Sequence, residues 1–310
     1  MATGTARQGL RPDADIKAIP IRRPWRWAAT ALVLVLLAML LTSMVTNPRY
    51  RWEIVARYLL DGSVLNGLLL TLEFTAIAMV LGISLGVLFA VMRGSSNRVL
   101  SWTAAGYIWF FRGTPLLVQL VFWFNLSALY PTIELGLPFG PVFATLDANT
   151  LITPFIAGVL GLALNEGAYM AEIVRAGIVS VPKGQLEAAS SLGMSKSMTM
   201  RKIVLPQAMR VIIPPTGNNA IAMLKTSSLI SVLAIPELLY SVQIIYGRNF
   251  QTIPLLLVAS IWYLLATSIL TAAQNRIERH FSPDRDPGES YAARLRRNLT
   301  SRRANVKEER

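Results

Sequence analysis

The sequence predicts an all-α membrane protein with six transmembrane helices. Hydrophobic residues occupy 53% of its 310 positions and charged residues only 15%, whereas charged residues make up about 25% of an average soluble domain. The mean hydropathy is +0.47. The apolar residues are gathered into segments long enough to cross the hydrocarbon core of a bilayer, which takes about 20 residues of helix.

The six predicted spans follow one another along the chain. Trp27–Thr46 is the first and contains no charged residue. A secretory signal peptide is the alternative for this segment, but its apolar region would be shorter, about 7–15 residues, and a small-residue cleavage site would follow. The six spans are residues 27–46, 64–92, 114–129, 151–174, 211–235 and 253–273.

The second span carries one charge and a pair of small residues. Glu73 interrupts the span near its outer end. Its position agrees equally well with packing near the membrane interface and with contact to the substrate. Gly82 and Gly86 form a small-xxx-small pair, which lets a second helix approach closely. The sequence therefore predicts a tight helix–helix contact at these two glycines.

Prolines mark the third and fifth spans. Pro115 suits the first helical position of the third span, because its missing N–H costs nothing there. The preceding residues 99–111 are apolar and aromatic between two arginines, and they predict an interfacial helix. The fifth span is expected to be irregular near its start, at Pro214-Pro215-Thr216-Gly217.

The distribution of positive charge predicts the orientation. The chain has 30 Lys and Arg and a net charge of +13. Twenty-five of them lie in residues 1–26, 93–112, 175–210 and 276–310, four lie in the alternating loops, and Lys225 is in the fifth span. The positive-inside rule therefore places both termini in the cytoplasm. Spread over one membrane face, these charges fit lipid headgroups, which excludes nucleic acid as the partner.

Catalysis, metal binding and nucleotide binding are not expected of this chain. It has no cysteine and one histidine, His280, so a thiolate metal site and a nucleophile–histidine pair are excluded. No segment of the form G-x-x-x-x-G-K-[ST] is present. If the protein uses ATP, another chain must hydrolyse it.

One cytoplasmic loop, between the fourth and fifth spans, has a helical sequence. Pro182 begins it, and residues 185–192 are mostly good helix formers. Gly193 permits a left-handed turn or a close approach, Ser195 can cap a second short helix, and Pro206 is expected to end it. We call residues 182–206 the coupling loop.

The coupling loop resembles the EAA loop of binding-protein-dependent transport permeases. The likeness rests on Glu187-Ala188-Ala189, Gly193 four residues later, and Ile203-Val204-Leu205-Pro206. In that family the loop forms a coupling helix that sits in a cleft of an ATPase subunit. The resemblance implies that the loop contacts an ATPase through Glu187, Ala188, Ala189, Gly193, Ile203, Leu205 and Pro206.

Further segments are similar to the polar amino-acid branch of that family, and together they cover residues 62–281. They are Asn66–Leu72, Phe111–Leu120, Asn165–Gly177 and Ser180–Gln185. The resemblance implies a five-helix permease core, to which residues 27–46 add an N-terminal helix. It also implies a bacterial inner-membrane importer of a polar amino acid, with a second permease subunit, an ATPase dimer that holds ATP and magnesium, and an extracytoplasmic binding protein. The basic tails 1–26 and 282–310 are expected to be disordered or partly helical.

Polar groups at membrane depth are the candidates for the substrate pathway, because they usually face a cavity or a partner. Asn165, Tyr169 and Glu172 share one helix face by spacing, with Glu166 beside it. Broken backbone at Pro214–Gly217 would supply a cavity wall. Polar packing between helices is the alternative for each candidate. The candidates are Gln119, Asn165, Glu166, Tyr169, Glu172, Asn218 and Asn219.

Two other functions stay open on the sequence. A secondary transporter working alone would explain the spans and the intramembrane carboxylates, but not the coupling loop. A membrane anchor that recruits a cytoplasmic ATPase would explain the loop, but not the polar groups at membrane depth.

Overall fold

The structure, a computed structural model, describes residues 24–137 and 140–281, most of which are helical. The tails at 1–23 and 282–310, for which disorder is predicted, lie outside the described residues. Within the described part the helices, in chain order, are α1 Pro24–Thr46, α2 Trp52–Leu59, α3 Gly62–Arg93, α4 Arg98–Gly113, α5 Leu116–Phe124, α6 Leu126–Leu129, α7 Ala148–Leu151, α8 Pro154–Val179, α9 Lys183–Ser191, α10 Lys196–Thr199, α11 Leu205–Thr226, α12 Leu238–Asn249 and α13 Thr252–Phe281.

The chain divides into two compact units between Arg51 and Trp52. The first contains α1 and a 3-10 turn, Pro48–Tyr50. None of the residues Trp27–Thr46 is buried. A helix that is apolar on every side and buries none of its own side chains is suited to lipid.

Three helices in the described residues are long and apolar enough to cross a membrane by themselves, namely α1, α3 and α13. Two bent pairs raise the number to five, one formed by α4 and α5 and the other by Lys196–Leu233 and α12. The 26 residues of α8 also have the necessary length. The number of six spans stays a prediction.

The third predicted span, 114–129, is wrong as a continuous helix. Only nine of its residues form α5, which is about 14 Å of helix, and α5 is bent by 103° from α4. Pro115 precedes the first helical residue instead of being it. A proline pushes the residue before it out of the helical region, and Thr114 is extended with φ −109° and ψ 143°, so the start of the predicted span is not helical. The second break is at Asn125, whose φ −92° and ψ 11° separate α5 from the four-residue α6.

A two-stranded antiparallel hairpin connects the third and fourth predicted spans, where the sequence analysis placed only a loop. Its strands are β1 Thr132–Gly136 and β2 Val142–Asp147. Every residue of β2 is exposed. The hairpin therefore adds no core to the bundle.

The tight contact predicted at Gly82 and Gly86 is confirmed, and it joins α3 to α8. A Cβ at Gly82 would lie 2.7 Å from the Glu166 Cγ. A Cβ at Gly86 would lie 2.9 Å from the Met170 carbonyl carbon and 3.0 Å from the Ala171 nitrogen. The contacts at Gly86 involve backbone atoms, which cannot turn aside, so the two helices reach this separation there only with glycine.

The helix α11 starts earlier and is more regular than predicted. The expected break at Pro214–Gly217 is wrong, since these residues are helical. Pro214 and Pro215 leave the Arg210 and Val211 carbonyls without their helical N–H donors, and a membrane helix tolerates this where neighbouring helices pack against it. Those neighbours are α8, where Glu166 binds Asn219, and α13, where Gln274 binds Asn218. The irregular backbone lies later, in a 3-10 segment Ser227–Leu233.

Candidate functional site

The coupling loop forms a short helix that ends in a tight left-handed turn. After α9, Gly193 has φ +72°, its N–H donates to Ser190 O at 3.0 Å, and the Met194 N–H donates to Ala189 O at 3.1 Å. This pair of bonds is the Schellman motif, which favours glycine at the left-handed position. The left-handed turn is as predicted, whereas the alternative of a close approach is not, since a Cβ at Gly193 would meet nothing within 4 Å.

The second part of the coupling loop continues into the membrane helix. Ser195 caps α10 by accepting from the Met198 N–H at 3.3 Å, as predicted. The prediction that Pro206 ends this helix is wrong, because a π-helical turn, Met200–Val204, joins α10 to α11. A π turn shifts the bonding pattern locally, which accommodates the N–H that Pro206 lacks.

Most residues of the coupling loop are exposed to solvent in the part of the chain that the structure describes. Glu187, Ala188, Leu205 and Pro206 are exposed, Ile203 is half-buried, and Ala189 is buried. Leu192, beside the turn, has 81% of its surface exposed. Exposed apolar side chains at a turn of this kind suit an interaction site.

Three consecutive residues of α8 bind three other elements. Leu164 O accepts from the Tyr107 hydroxyl of α4 at 2.6 Å. Asn165 Nδ2 donates to Gln119 Oε1 of α5 at 3.3 Å. Glu166 Oε1 accepts from Asn219 Nδ2 of α11 at 2.9 Å. Because the three partners belong to α4, α5 and α11, these residues form a polar layer that links α8 to three neighbouring helices.

The structure brings together four of the predicted pathway residues in two pairs, Gln119 with Asn165 and Glu166 with Asn219. Gln119 Nε2 also donates to Thr114 Oγ1 at 2.7 Å. One member of each pair is buried, since Gln119 has 4% and Glu166 has 5% of its surface exposed, whereas Asn165 and Asn219 are half-buried. These amides and the carboxylate thus use their hydrogen bonds between helices.

The other three predicted pathway residues have separate partners. Tyr169 lies under the Arg112 guanidinium, 5.3 Å from the ring centroid. Glu172 forms an ion pair with Arg175 at 2.7 Å. Asn218 is exposed and accepts from Gln274 Nε2 of α13 at 3.0 Å. The shared face expected for Asn165, Tyr169 and Glu172 therefore forms no single hydrogen-bonded cluster among the described residues.

A cavity of about 800 Å³ opens between α2, α3 and α12, at the side that the charge pattern assigns to the exterior. Ligand pockets commonly have volumes of about 300–1,000 Å³. Its walls combine two carboxylates, Asp61 and Glu73, with the Arg248 guanidinium. Its full lining is Tyr58, Asp61, Ser63, Asn66, Leu69, Leu70, Glu73, Pro236, Ser241, Ile244, Ile245, Arg248 and Asn249. We call it the outer cavity.

Glu237 lies directly behind the outer cavity, and the sequence analysis missed it. None of its surface is exposed, and its carboxylate accepts from the Leu239 N–H at 2.9 Å and the Tyr240 N–H at 2.8 Å. The predicted spans 211–235 and 253–273 place it in an outer loop. The available signal was an acidic residue directly after Pro236 and before an apolar helical segment, a pattern typical of a helix N-terminus.

Comparisons with known proteins agree with the resemblance. The family described as binding-protein-dependent transport system inner membrane component matches residues 82–283. The chain is 49% identical to the arginine transport system permease protein ArgU of Corynebacterium glutamicum, over 86% of this chain and 83% of that protein. It is 37% identical to the L-cystine transport system permease protein TcyB of Bacillus subtilis, over 69% of this chain and 84% of that protein.

A solved structure is also similar. It is the crystal structure of an amino acid ABC transporter with histidines, which has a TM-score of 0.60 and 36% identity. The match covers 70% of this chain and 94% of that chain.

Proposed function

This chain belongs to the family of binding-protein-dependent transport system inner membrane components, and we propose that it carries a basic amino acid of the arginine type. Its relatives are permease proteins of amino-acid transport systems. It is therefore the multi-pass membrane permease subunit of an amino-acid ABC importer, a transport component and not an enzyme.

The observation that carries the proposed substrate class is the charge of the outer cavity. An arginine-type substrate has two positive groups and one carboxylate. Asp61 and Glu73 match the positive groups, and Arg248 matches the carboxylate. Charged hydrogen bonds of this kind are stronger than neutral ones. The 49% identity to an arginine transport permease supports the same class.

A separate ATPase supplies the energy in this proposal, and it docks on the coupling loop. The exposed apolar side chain of Leu192 and the exposed carboxylate of Glu187 provide a mixed contact surface there. The loop runs without a break of helix from Lys196 into α11. A displacement of the docked loop then moves α11 as a stiff element, which is how rigid-body switching proceeds.

The polar layer serves in this proposal to hold α11 in register with its neighbours. Asn219 binds Glu166 of α8, and Asn218 binds Gln274 of α13. Movement of α11 is thereby passed to both helices. Substrate contact by these residues is the alternative role.

We place the chain in the bacterial cytoplasmic membrane with both termini in the cytoplasm, on the strength of its Lys and Arg distribution. ABC importers of this family imply an ATPase and a substrate-binding protein as partners. We propose two permease subunits, which together enclose the pathway, and two ATPase subunits that hold ATP and magnesium.

Reconstituted transport tests the proposed substrate. The full chain, its ATPase and its binding protein would be placed in liposomes, and ATP-dependent uptake of radiolabelled L-arginine would be measured against competing L-lysine, L-glutamine and L-cystine. We expect saturable arginine uptake that lysine reduces and glutamine does not. Uptake of glutamine or cystine but not arginine would contradict the substrate class. Uptake without the ATPase would favour a secondary transporter.

A charge-neutralising variant tests the role of the cavity. Glu73→Gln is expected to raise the KM for arginine about tenfold, because a hydrogen bond to a charged group is worth about 1.5–3 kcal/mol. Glu134→Gln is the matched control, since Glu134 is exposed on β1 and does not line the outer cavity. Equal KM values for the two variants would remove Glu73 from the site.

A further inference from the structure

The outer cavity is built from two helices that one buried carboxylate holds together. Asn66, Leu69, Leu70 and Glu73 of α3 form one wall, and Ser241, Ile244, Ile245 and Arg248 of α12 form the other. Pro236, beside Glu237, lines the cavity as well. The spacing of the walls therefore depends on what fixes the start of α12.

Glu237 fixes the start of α12 with both carboxylate oxygens. Its Oε1 accepts from the Tyr240 N–H at 2.8 Å, and its Oε2 accepts from the Leu239 N–H at 2.9 Å. A carboxylate at this position also interacts favourably with the helix dipole. The first free N–H groups of α12 are thereby satisfied inside the protein.

The same carboxylate reaches two further helices. The Tyr263 hydroxyl of α13 donates to Oε2 at 2.9 Å. The Thr71 hydroxyl of α3 lies 3.3 Å from Oε2, and it accepts from the Leu238 N–H at 3.0 Å. One side chain thus joins α12 to both α3 and α13.

The packing around Glu237 brings the backbones of α3 and α12 close together. A Cβ at Gly67 of α3 would lie 3.0 Å from the Glu237 carbonyl oxygen. Ser241 and Thr71 are buried beside it. Buried groups that are bonded on every side specify one geometry, and removal of a partner is costly.

We infer that Glu237 is a positioning residue, which sets the separation of the α3 and α12 walls of the outer cavity and so the fit of the transported amino acid. This inference rests on the proposed role of the cavity. Glu237 itself does not line the cavity, so its effect on the substrate passes through Ser241, Arg248 and the rest of α12.

Three variants test the inference in the full transporter. Tyr263→Phe removes one hydroxyl from the carboxylate and leaves the ring. Glu237→Gln replaces an oxygen that faces N–H donors with an NH₂ group. Tyr246→Phe is the matched control, since Tyr246 belongs to α12, is half-buried, and has no hydrogen bond from its hydroxyl among the described residues.

The wall separation can be measured without substrate. The chain has no native cysteine, so spin labels can be attached at Leu69→Cys and Ile244→Cys, on opposite walls. When the labelled chain is diluted with unlabelled chain, so that few transporters hold two labelled subunits, pulsed electron resonance reports the distance distribution within one chain. We expect a narrow distribution for the native background and for Tyr246→Phe. In Tyr263→Phe and Glu237→Gln the width should at least double.

Arginine uptake by the same variants without labels gives the second readout. Tyr263→Phe is expected to raise the KM about two- to tenfold and to change kcat less than twofold, because the loss of one hydrogen bond loosens the fit without removing a group that touches the substrate. A merely structural role would lower the amount of active transporter and leave the KM unchanged.

Four results would overturn the inference. They are an unchanged width in Tyr263→Phe, an equal broadening in Tyr246→Phe, a changed KM without a changed width, and a broadened distribution with an unchanged KM. If Glu237→Gln does not fold, Tyr263→Phe alone decides. If the transporter carries another amino acid, the arginine proposal fails while the distance measurement still tests Glu237.

Discussion

Replacement of Gly86 by alanine should push α3 away from α8. The added Cβ would lie 2.9 Å from the Met170 carbonyl carbon and 3.0 Å from the Ala171 nitrogen. Carbon atoms are in favourable contact at about 3.5–4.0 Å, so the added Cβ would lie about half an ångström or more too close to the Met170 carbonyl carbon. Backbone atoms cannot rotate out of the way, and one helix has to move.

The expected free-energy change has two opposing parts. Overpacking of a well-packed contact costs about 1–3 kcal/mol. Replacement of a helical glycine by alanine contributes about 0.5–1 kcal/mol in the stabilising direction. We expect Gly86→Ala to lower the free energy of unfolding by about 1–2 kcal/mol.

Gly106→Ala is the matched control for this prediction. Gly106 also lies inside a helix, α4, and a Cβ there would meet nothing within 4 Å. Only the helix-propensity part remains, so this variant should be more stable by about 0.5–1 kcal/mol. The same chemical change is therefore expected to have opposite signs at the two positions.

Unfolding in mixed micelles measures both variants. Increasing dodecyl sulphate would be added to detergent-solubilised protein, with the fluorescence of its seven tryptophans as the signal. The difference in unfolding free energy between the two variants should be about 2 kcal/mol. A Gly86→Ala protein as stable as Gly106→Ala would refute the close contact of α3 and α8.

Three other predictions concern the loop and the polar layer. Gly193→Val should lower the free energy of unfolding by about 1–2 kcal/mol, because its position is left-handed, and should lower arginine uptake per ATP hydrolysed. Gly184→Val is the control, since a Cβ there meets nothing within 4 Å, and it should keep the native ratio of uptake to hydrolysis. Equal ratios in the two variants would contradict the role of the turn. Glu166→Leu and Asn219→Leu should show a coupling energy of about 0.6–1.7 kcal/mol in a double-mutant cycle, and a coupling near zero would mean that the 2.9 Å bond contributes nothing. Tyr107→Phe should lower the unfolding free energy by about 0.5–1.5 kcal/mol, since its hydroxyl donates to Leu164 O at 2.6 Å, and Tyr246→Phe is again the control.

Local features of the fold were predictable where the chemistry is local. Gly193 has the positive φ that its position after α9 suggested, and Ser195 caps α10. The pair Gly82 and Gly86 marked a close helix contact. In each case a single residue type is suited to one backbone geometry, and neighbours along the chain supply the context.

The errors arose where proline effects depend on distant groups. Pro206 and Pro214 were expected to end or break helices, yet both lie within α11. A π-helical turn accommodates the first. The second lies in a helix that neighbouring helices pack against, with Asn219 bound to Glu166 of α8 and Asn218 bound to Gln274 of α13. A sequence pattern contains no information on partners that arrive from helices more than 50 residues away.

The sequence by itself determined that this chain is a membrane protein, because hydropathy and charge distribution are properties of composition and lipid imposes the same demands on every such chain. The permease family followed from the resemblance of the coupling loop and the further segments to that family. Only the tertiary structure decided which polar groups pair, that Gln119 meets Asn165 and that Glu166 meets Asn219. It alone placed Glu237 behind a cavity between α3 and α12, because a buried carboxylate takes its role from partners far away in sequence.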